Sequence, residues 1–161
     1  MEFTVLSCCA VCQTCKVRVL LQSRNVPSSL LAPEEEGQPP NNPIHCIREV
    51  VPHWWLFTRC TAILCHGGVG TITAALQAGK PAIACPFGFD QQFWADRLEW
   101  LGVGCASVHP DRLDEKHLQR AIEKVHTEDV QRTARSFAQR MAKEYGIESA
   151  MNIISKTLGI M

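Results

Sequence analysis

The segment that most limits what this chain can fold into is a short apolar run that ends in a glycine-rich turn. Ala62-Ile63-Leu64-Cys65 leads into His66-Gly67-Gly68-Val69-Gly70-Thr71, followed by a helical stretch from Ile72 to Ala78 that Gly79 stops. A nearly continuous apolar run of this length suits a parallel strand covered on both faces. Open parallel sheets take ligands beyond the carboxyl ends of their strands, where glycines let the backbone turn tightly and approach a bound group. The first-turn amides of the following helix lack carbonyl partners, and a phosphate suits them. His66 at the strand end and Thr71 can each donate a further hydrogen bond to it. The turn is neither a Walker loop, since Gly-Lys-Ser/Thr is absent, nor the Gly-x-Gly-x-x-Gly dinucleotide fingerprint. Read alone, it leaves open a purely structural corner.

A second strand–helix unit follows at once. Pro81-Ala82-Ile83-Ala84-Cys85 reads as another buried strand, ended by Pro86, and Phe87-Gly88-Phe89-Asp90-Gln91-Gln92 comes next. In a parallel sheet this segment shares the ligand-bearing edge with the glycine turn. Asp90 and Gln91 offer acceptors and a donor suited to sugar hydroxyls. Asp90 also reads as the cap of a helix to about Leu101, with Phe93, Leu98 and Leu101 among its apolar positions. Gly102-Val103-Gly104 turns into a last strand near Cys105 to Val108. Upstream, residues 16–23 and 44–51 read as strands, separated by a loop at 26–43 with five prolines and the acidic run Glu34-Glu35-Glu36, which is expected to be mobile.

The last third is helical. Leu118, Ile122 and Val125 mark one helix from Asp114; Val130, Ala134, Phe137 and Met141 mark a second, from about Glu128, which is expected to bury them and to stop near Gly146. Met151, Ile154 and Leu158 lie on one side of a third, from about Glu148. The alternation predicts an α/β fold, a Rossmann-like parallel sheet flanked by helices. Residues 1–15 are an atypical N-terminal segment, 16–158 the domain, and 159–161 a tail.

Composition excludes several classes. The 161 residues carry no net charge, which gives no reason to expect nucleic acid. No stretch reaches the length of a membrane span, and no basic region precedes an apolar core at the N-terminus, so neither a spanning helix nor a secretory signal is expected. Cys46, Cys60, Cys65, Cys85 and Cys105 sit in or beside apolar runs and suit reduced thiols in a cytoplasmic setting. Cys8, Cys9, Cys12 and Cys15 have a spacing open to zinc or a redox pair. However, no second ligand pair follows and adjacent Cys8 and Cys9 would strain a tetrahedral site, so no metal site is expected.

Spaced pieces from 49 to 104 together resemble the donor-binding region of the UDP-sugar-dependent glycosyltransferases, in the manner of the sterol glucosyltransferase branch and its bacterial relatives. They are Val51-Pro52-His53-Trp54-Trp55-Leu56-Phe57, Cys65-His66-Gly67-Gly68-Val69-Gly70-Thr71, Ala74-Ala75-Leu76-Gln77-Ala78-Gly79-Lys80-Pro81, Pro86 to Arg97, and Leu101-Gly102-Val103-Gly104. The resemblance implies the C-terminal half of a GT-B fold. It places the donor diphosphate on His66 and the turn Gly67, Gly68, Val69, Gly70 and Thr71, the sugar hydroxyls on Asp90 and Gln91, and the uracil against Val51, Pro52 and His53. It implies UDP-glucose or a similar nucleotide sugar as substrate, with no cofactor and no metal.

Where the plant small-molecule branch stacks a tryptophan on uracil, this chain has Val50, and one of Trp54 and Trp55 is expected to pack beneath the loop. The family's acceptor domain and catalytic histidine have no counterpart here, and the first strand and helix of the donor domain are expected to be missing, which leaves a sheet edge exposed. The resemblance therefore implies transfer to a sterol or other lipophilic hydroxyl with an acceptor-domain partner, peripheral to membranes. No residue of this chain qualifies as the catalytic base, so the catalytic set is empty. A non-catalytic nucleotide-sugar-binding remnant or subunit is the alternative. A nucleotide-sugar epimerase is disfavoured by the Pro-His-Trp-Trp-Leu-Phe and Asp-Gln-Gln-Phe-Trp-Ala motifs.

Overall fold

A computed structural model describes residues 15–22, 44–107 and 109–159. Cys8, Cys9, Cys12, most of the atypical N-terminal segment and the proline-rich loop at 26–43 lie outside them. Strands β1 (Val19–Gln22) and β2 (Ile44–Ile47) form a parallel pair, Val19 opposite Ile44. Strands β3 (Ile63–Cys65), β4 (Ala82–Ala84) and β5 (Gly104–Ala106) form a parallel sheet in that order. Helix α1 (His53–Leu56) precedes β3. Helix α2 (Val69–Gln77) links β3 to β4, and α3 (Gln91–Trp100) links β4 to β5. Then come α4 (Glu115–Val125), α5 (Glu128–Met141) and α6 (Gly146–Leu158).

The period of two along β4 organises the core. Ala82 and Ala84 face a cluster built from Leu56, Phe57, Ile72, Ala75, Leu76, Ala95 and Leu98, which are contributed by α1 and the short turn after it and by α2 and α3. Ile83 and Cys85 face the other side, against Cys105, Leu113, Leu118, Ala121 and Val125. Both faces of the strand are thus covered, which is why its sequence is apolar throughout. Alanine at five of these contact points, Ala75, Ala82, Ala84, Ala95 and Ala121, keeps helices close to the sheet, so little space is left to absorb a larger side chain.

Several local expectations need correction. Helix α2 begins at Val69, three residues ahead of the expected start, because the glycine turn itself supplies its first turn. Phe93 is exposed; α3 turns Gln91, Ala95 and Leu98 inward instead. Neither Trp54 nor Trp55 packs beneath the loop. Trp54 is 73% exposed and Trp55 lies under the Arg59 guanidinium, 3.9 Å from its ring, while Leu56 and Phe57 fill the core. Helix α5 ends at Met141 and buries only Ala134 fully; Gly146 opens α6. Helix α6 buries none of its residues, and its apolar Met151, Ile154 and Leu158 are exposed.

Among the described residues no strand joins β1 to β3, so each has a free edge, and Leu64 on β3 is half exposed. All six described cysteines are free thiols. Burial pushes the Cys105 thiol from 9.0 to about 11, so the folded chain holds that proton more tightly than the unfolded chain. The associated stability is complete below the unfolded value and is lost as pH rises through the folded one. We therefore expect the urea midpoint to fall between about pH 9 and pH 11, and to fall less in Cys105→Ala. Equal losses in both chains would remove Cys105 as the cause.

Candidate functional site

The carboxyl ends of β3 and β4 build one surface. After Cys65 the chain turns through Gly67, whose φ of +90° few side chains adopt. A β-carbon there would also lie 3.2 Å from the Gln91 carbonyl oxygen and 3.4 Å from the Ala84 β-carbon. The turn after β3 is thereby pressed against the start of α3, with only backbone between them. Cys85 N donates to the Cys65 carbonyl at 2.8 Å, closing the same corner.

Gly68 caps α2 with extended backbone (φ −65°, ψ 138°) and no side-chain cap. The helix ladder starts with Ile72 N donating to the Gly68 carbonyl at 3.1 Å. Among the described residues the amides of Val69, Gly70 and Thr71 accordingly have no acceptor. The His66 imidazole folds over Gly68, with Nε2 where a β-carbon would stand. Its other neighbour is the Phe87 ring, with centroids 5.9 Å apart. His66 thus stands between the start of α2, over Gly68, and the β4–α3 loop, at Phe87.

That loop is held by Gln91, which is only 6% exposed. Its Oε1 accepts from Phe87 N at 3.0 Å and Gly88 N at 3.3 Å, leaving the Nε2 amide as what it can offer a ligand. Asp90 stands at the cap position of α3 but its side chain caps nothing, because its backbone (φ −83°, ψ 2°) is not extended. Instead Oδ2 accepts from Trp94 Nε1 at 2.7 Å, one helical turn along. The indole orients the carboxylate of this exposed residue. Trp94 was not singled out as a site residue, although its i+4 spacing from Asp90 is a signal that finds it.

The remaining candidates lie to one side. The Pro52 carbonyl accepts from Trp55 N and Leu56 N and so starts α1, which packs against α2. Val51 packs on the core; His53 is exposed and stacks on Phe57 at 4.5 Å. The other histidines of the last third are engaged elsewhere: His117 with Asp114, His126 with the Ile122 carbonyl, and His109 with Asp111. The His117 amide holds the Asp114 carboxyl below the ordinary carboxylate range, as a helix cap does. No group of three or more His, Cys, Asp or Glu suited to a metal occurs among the described residues.

Residues 33–158 match the model of the erythromycin biosynthesis protein CIII-like C-terminal domain. The chain belongs to that family. Sequence relatives include a sterol 3-beta-glucosyltransferase of Vanderwaltozyma polyspora, 40% identical over 78% of this chain, and sterol 3-beta-glucosyltransferase UGT80A2 of Arabidopsis thaliana, 38% identical over 67%. The chain spans 10% and 17% of the lengths of these two relatives. Among solved structures, the kitacinnamycin glycotransferase superposes with a TM-score of 0.75 at 22% identity, over 97% of this chain and 39% of its own. The calicheamicin glycosyltransferase CalG4 gives 0.72 at 21% identity, over 99% and 39%. The fold of this CIII-like domain is thus that of the C-terminal half of a GT-B glycosyltransferase. No helix among the described residues is long and apolar enough to cross a membrane.

Proposed function

We propose that this CIII-like domain is the donor-binding half of an inverting UDP-glycosyltransferase. Its donor is UDP-glucose or a similar nucleotide sugar, and its acceptor a sterol or other lipophilic hydroxyl. The observation that carries this reading is a helix start whose Val69, Gly70 and Thr71 amides have no acceptor among the described residues, preceded by Gly68 with the His66 ring lying over it. Three convergent N–H groups and an imidazole suit a diphosphate, whose leaving charge they stabilise as the sugar departs. No metal is needed for that step in this reading. In this reading Asp90, fixed by Trp94, and the Gln91 Nε2 bind hydroxyls of the transferred sugar, and Val51 to His53 take the base. The relatives named as sterol 3-beta-glucosyltransferases support the acceptor class.

The acceptor hydroxyl must lose a proton to a general base. His117 and His126 already hold partners on the surface of α4, and in this reading the base comes from an acceptor-binding half, in a longer chain or a separate one. In the alternative of a non-catalytic subunit, donor binding is the same. Adding a candidate acceptor half with UDP-glucose separates the two, since sugar transfer that disappears in Asp90→Ala belongs only to the enzyme.

Calorimetry with UDP, UDP-glucose and uridine tests the donor site directly. His66→Ala is expected to weaken UDP about tenfold or more and uridine hardly at all, because the lost hydrogen bond is to a charged phosphate. Equal losses for both ligands would take His66 off the diphosphate. A folded chain that binds neither nucleotide would end the donor reading, and chelator in the buffer is expected to change nothing.

A further inference from the structure

We infer that the cleft between the β4–α3 loop and the turn after β5 is an oxyanion site, holding the carboxylate of an acid whose ring lies on Phe87 and Phe89. The inference stands on the cleft itself and goes beyond the donor reading, which gives the cleft no ligand. The cleft has a volume of about 380 Å³, within the range of small-molecule pockets. Pro86, Phe87 and Phe89 line it from the loop, and Ser107, His109 and Arg112 from the turn after β5. His66 does not line it, although the Phe87 ring lies 5.9 Å from the imidazole.

No acid lines the cleft, and its polar side is made of donors. Arg112 carries the one full charge in the lining, and its guanidinium has no ion pair among the described residues. The single helical turn Pro110–Arg112 holds it in place: Arg112 N donates to the His109 carbonyl at 2.8 Å, and the next residue, Leu113, is buried in the core. His109 Nδ1 accepts from Asp111 N at 3.2 Å, so the neutral ring carries its proton on Nε2 and remains a donor. The Asp111 carboxylate, 3.5 Å from the same Nδ1, is 88% exposed and does not line the cleft; Asp90 does not line it either and is turned to Trp94. The Ser107 hydroxyl oxygen is buried beside the Cys85 thiol and makes no good hydrogen bond among the described residues. A buried hydroxyl is costly until something accepts from it. Guanidinium, imidazole and hydroxyl all donate, and a carboxylate accepts from all three. The loop side supplies the rest of the ligand's surroundings. Phe89 is 96% exposed and sits at φ +56°, a left-handed conformation unfavourable for an aromatic residue. Exposed aromatic rings in strained backbone are features of binding loops, and their faces suit a flat ring.

The test uses the whole chain and two probes of one shape, benzoate and the uncharged benzamide, titrated by ligand-observed NMR with UDP present. Benzoate is expected to bind at least about fivefold more tightly than benzamide, a modest preference because an exposed guanidinium is screened by water. Arg112→Gln is expected to abolish the preference and Arg112→Lys to keep part of it, with unchanged melting temperatures. Two sources of the carboxylate are then told apart with UDP-glucuronate and UDP-glucose. Tighter binding of UDP-glucuronate, lost in Arg112→Gln, assigns the acid to the donor's own sugar; equal binding of the two assigns it to a separate molecule, and either result supports the site. Benzoate that binds no better than benzamide overturns the inference, as does a preference indifferent to Arg112. So does benzoate expelled by UDP alone together with UDP weakened in Arg112→Gln, which would make the cleft one end of the diphosphate site. A chain that binds no UDP but keeps the Arg112-dependent preference would remove the donor reading and leave the oxyanion site standing.

Discussion

Gly68→Ala is expected to leave the domain folded and to weaken UDP by about one to two orders of magnitude, the scale of one charge-assisted hydrogen bond and its geometry. The backbone at Gly68 (φ −65°, ψ 138°) is ordinary for alanine, so the substitution adds no conformational strain. What it adds is a methyl group on top of His66 Nε2, with the Cδ2 and Cε1 atoms of the ring 3.2 Å away. An exposed side chain yields more readily than backbone, so the imidazole swings off the turn and takes its phosphate contact with it. Gly67→Ala separates the two effects. There φ is +90° and the new carbon meets the Gln91 carbonyl, so stability falls by about 1–2 kcal/mol. Thermal melts with and without UDP distinguish the pair. A Gly68→Ala chain with full UDP affinity would show that the ring over the turn has no part in donor binding.

That contrast marks what was legible in the sequence. The βαβ alternation could be read because buried parallel strands must be apolar on both faces, and Ile63 and Ala82 to Ala84 are. That the turns after β3 and β4 share one edge followed from topology alone, since strands that run in parallel end together. Side-chain roles were less legible where they depend on a single pair of backbone angles. Asp90 has the residue type and position of a helix cap, yet a ψ of 2° turns its carboxylate to Trp94 instead. Gln91 reads as a free polar group, but it is buried because two loop amides need an acceptor. The tryptophans misled for a related reason. Large aromatic area favours burial, but a four-residue helix can turn only part of its surface to the core, and Leu56 with the following Phe57 took that face. The free edges of β1 and β3 among the described residues match the exposed sheet edge that the resemblance implied, whereas the bare face of α6 follows from how elements are arranged in space, which no local pattern reports.

The largest effect on stability is expected at Gly104, where residue type is dictated by contact with a neighbouring strand. Gly104 lies opposite Ala82 in the β4–β5 register, and a β-carbon there would overlap the Ala82 carbonyl oxygen and stand 3.1 Å from its carbonyl carbon and nitrogen. All three atoms are backbone, so no rotamer change relieves the overlap, and β5 itself must move off β4. Two hydrogen bonds of that ladder are then strained, Ala82 N to the Val103 carbonyl at 3.3 Å and Ser107 N to the Ala84 carbonyl at 2.7 Å. Val103 and Cys105, both buried, are carried out of the two core clusters that meet at the sheet. We expect Gly104→Ala to lose about 3–5 kcal/mol, a large share of the roughly 5–15 kcal/mol of an ordinary domain. For a chain of this size that is a fall in melting temperature of about 10 °C or more. Gly88→Ala is the control, because nothing stands within 4 Å of a β-carbon at Gly88, and its change should stay within about 0.5 kcal/mol. The two variants melting together would mean that β5 tolerates a side chain facing Ala82, and that the tight β4–β5 pairing does not hold this edge of the sheet.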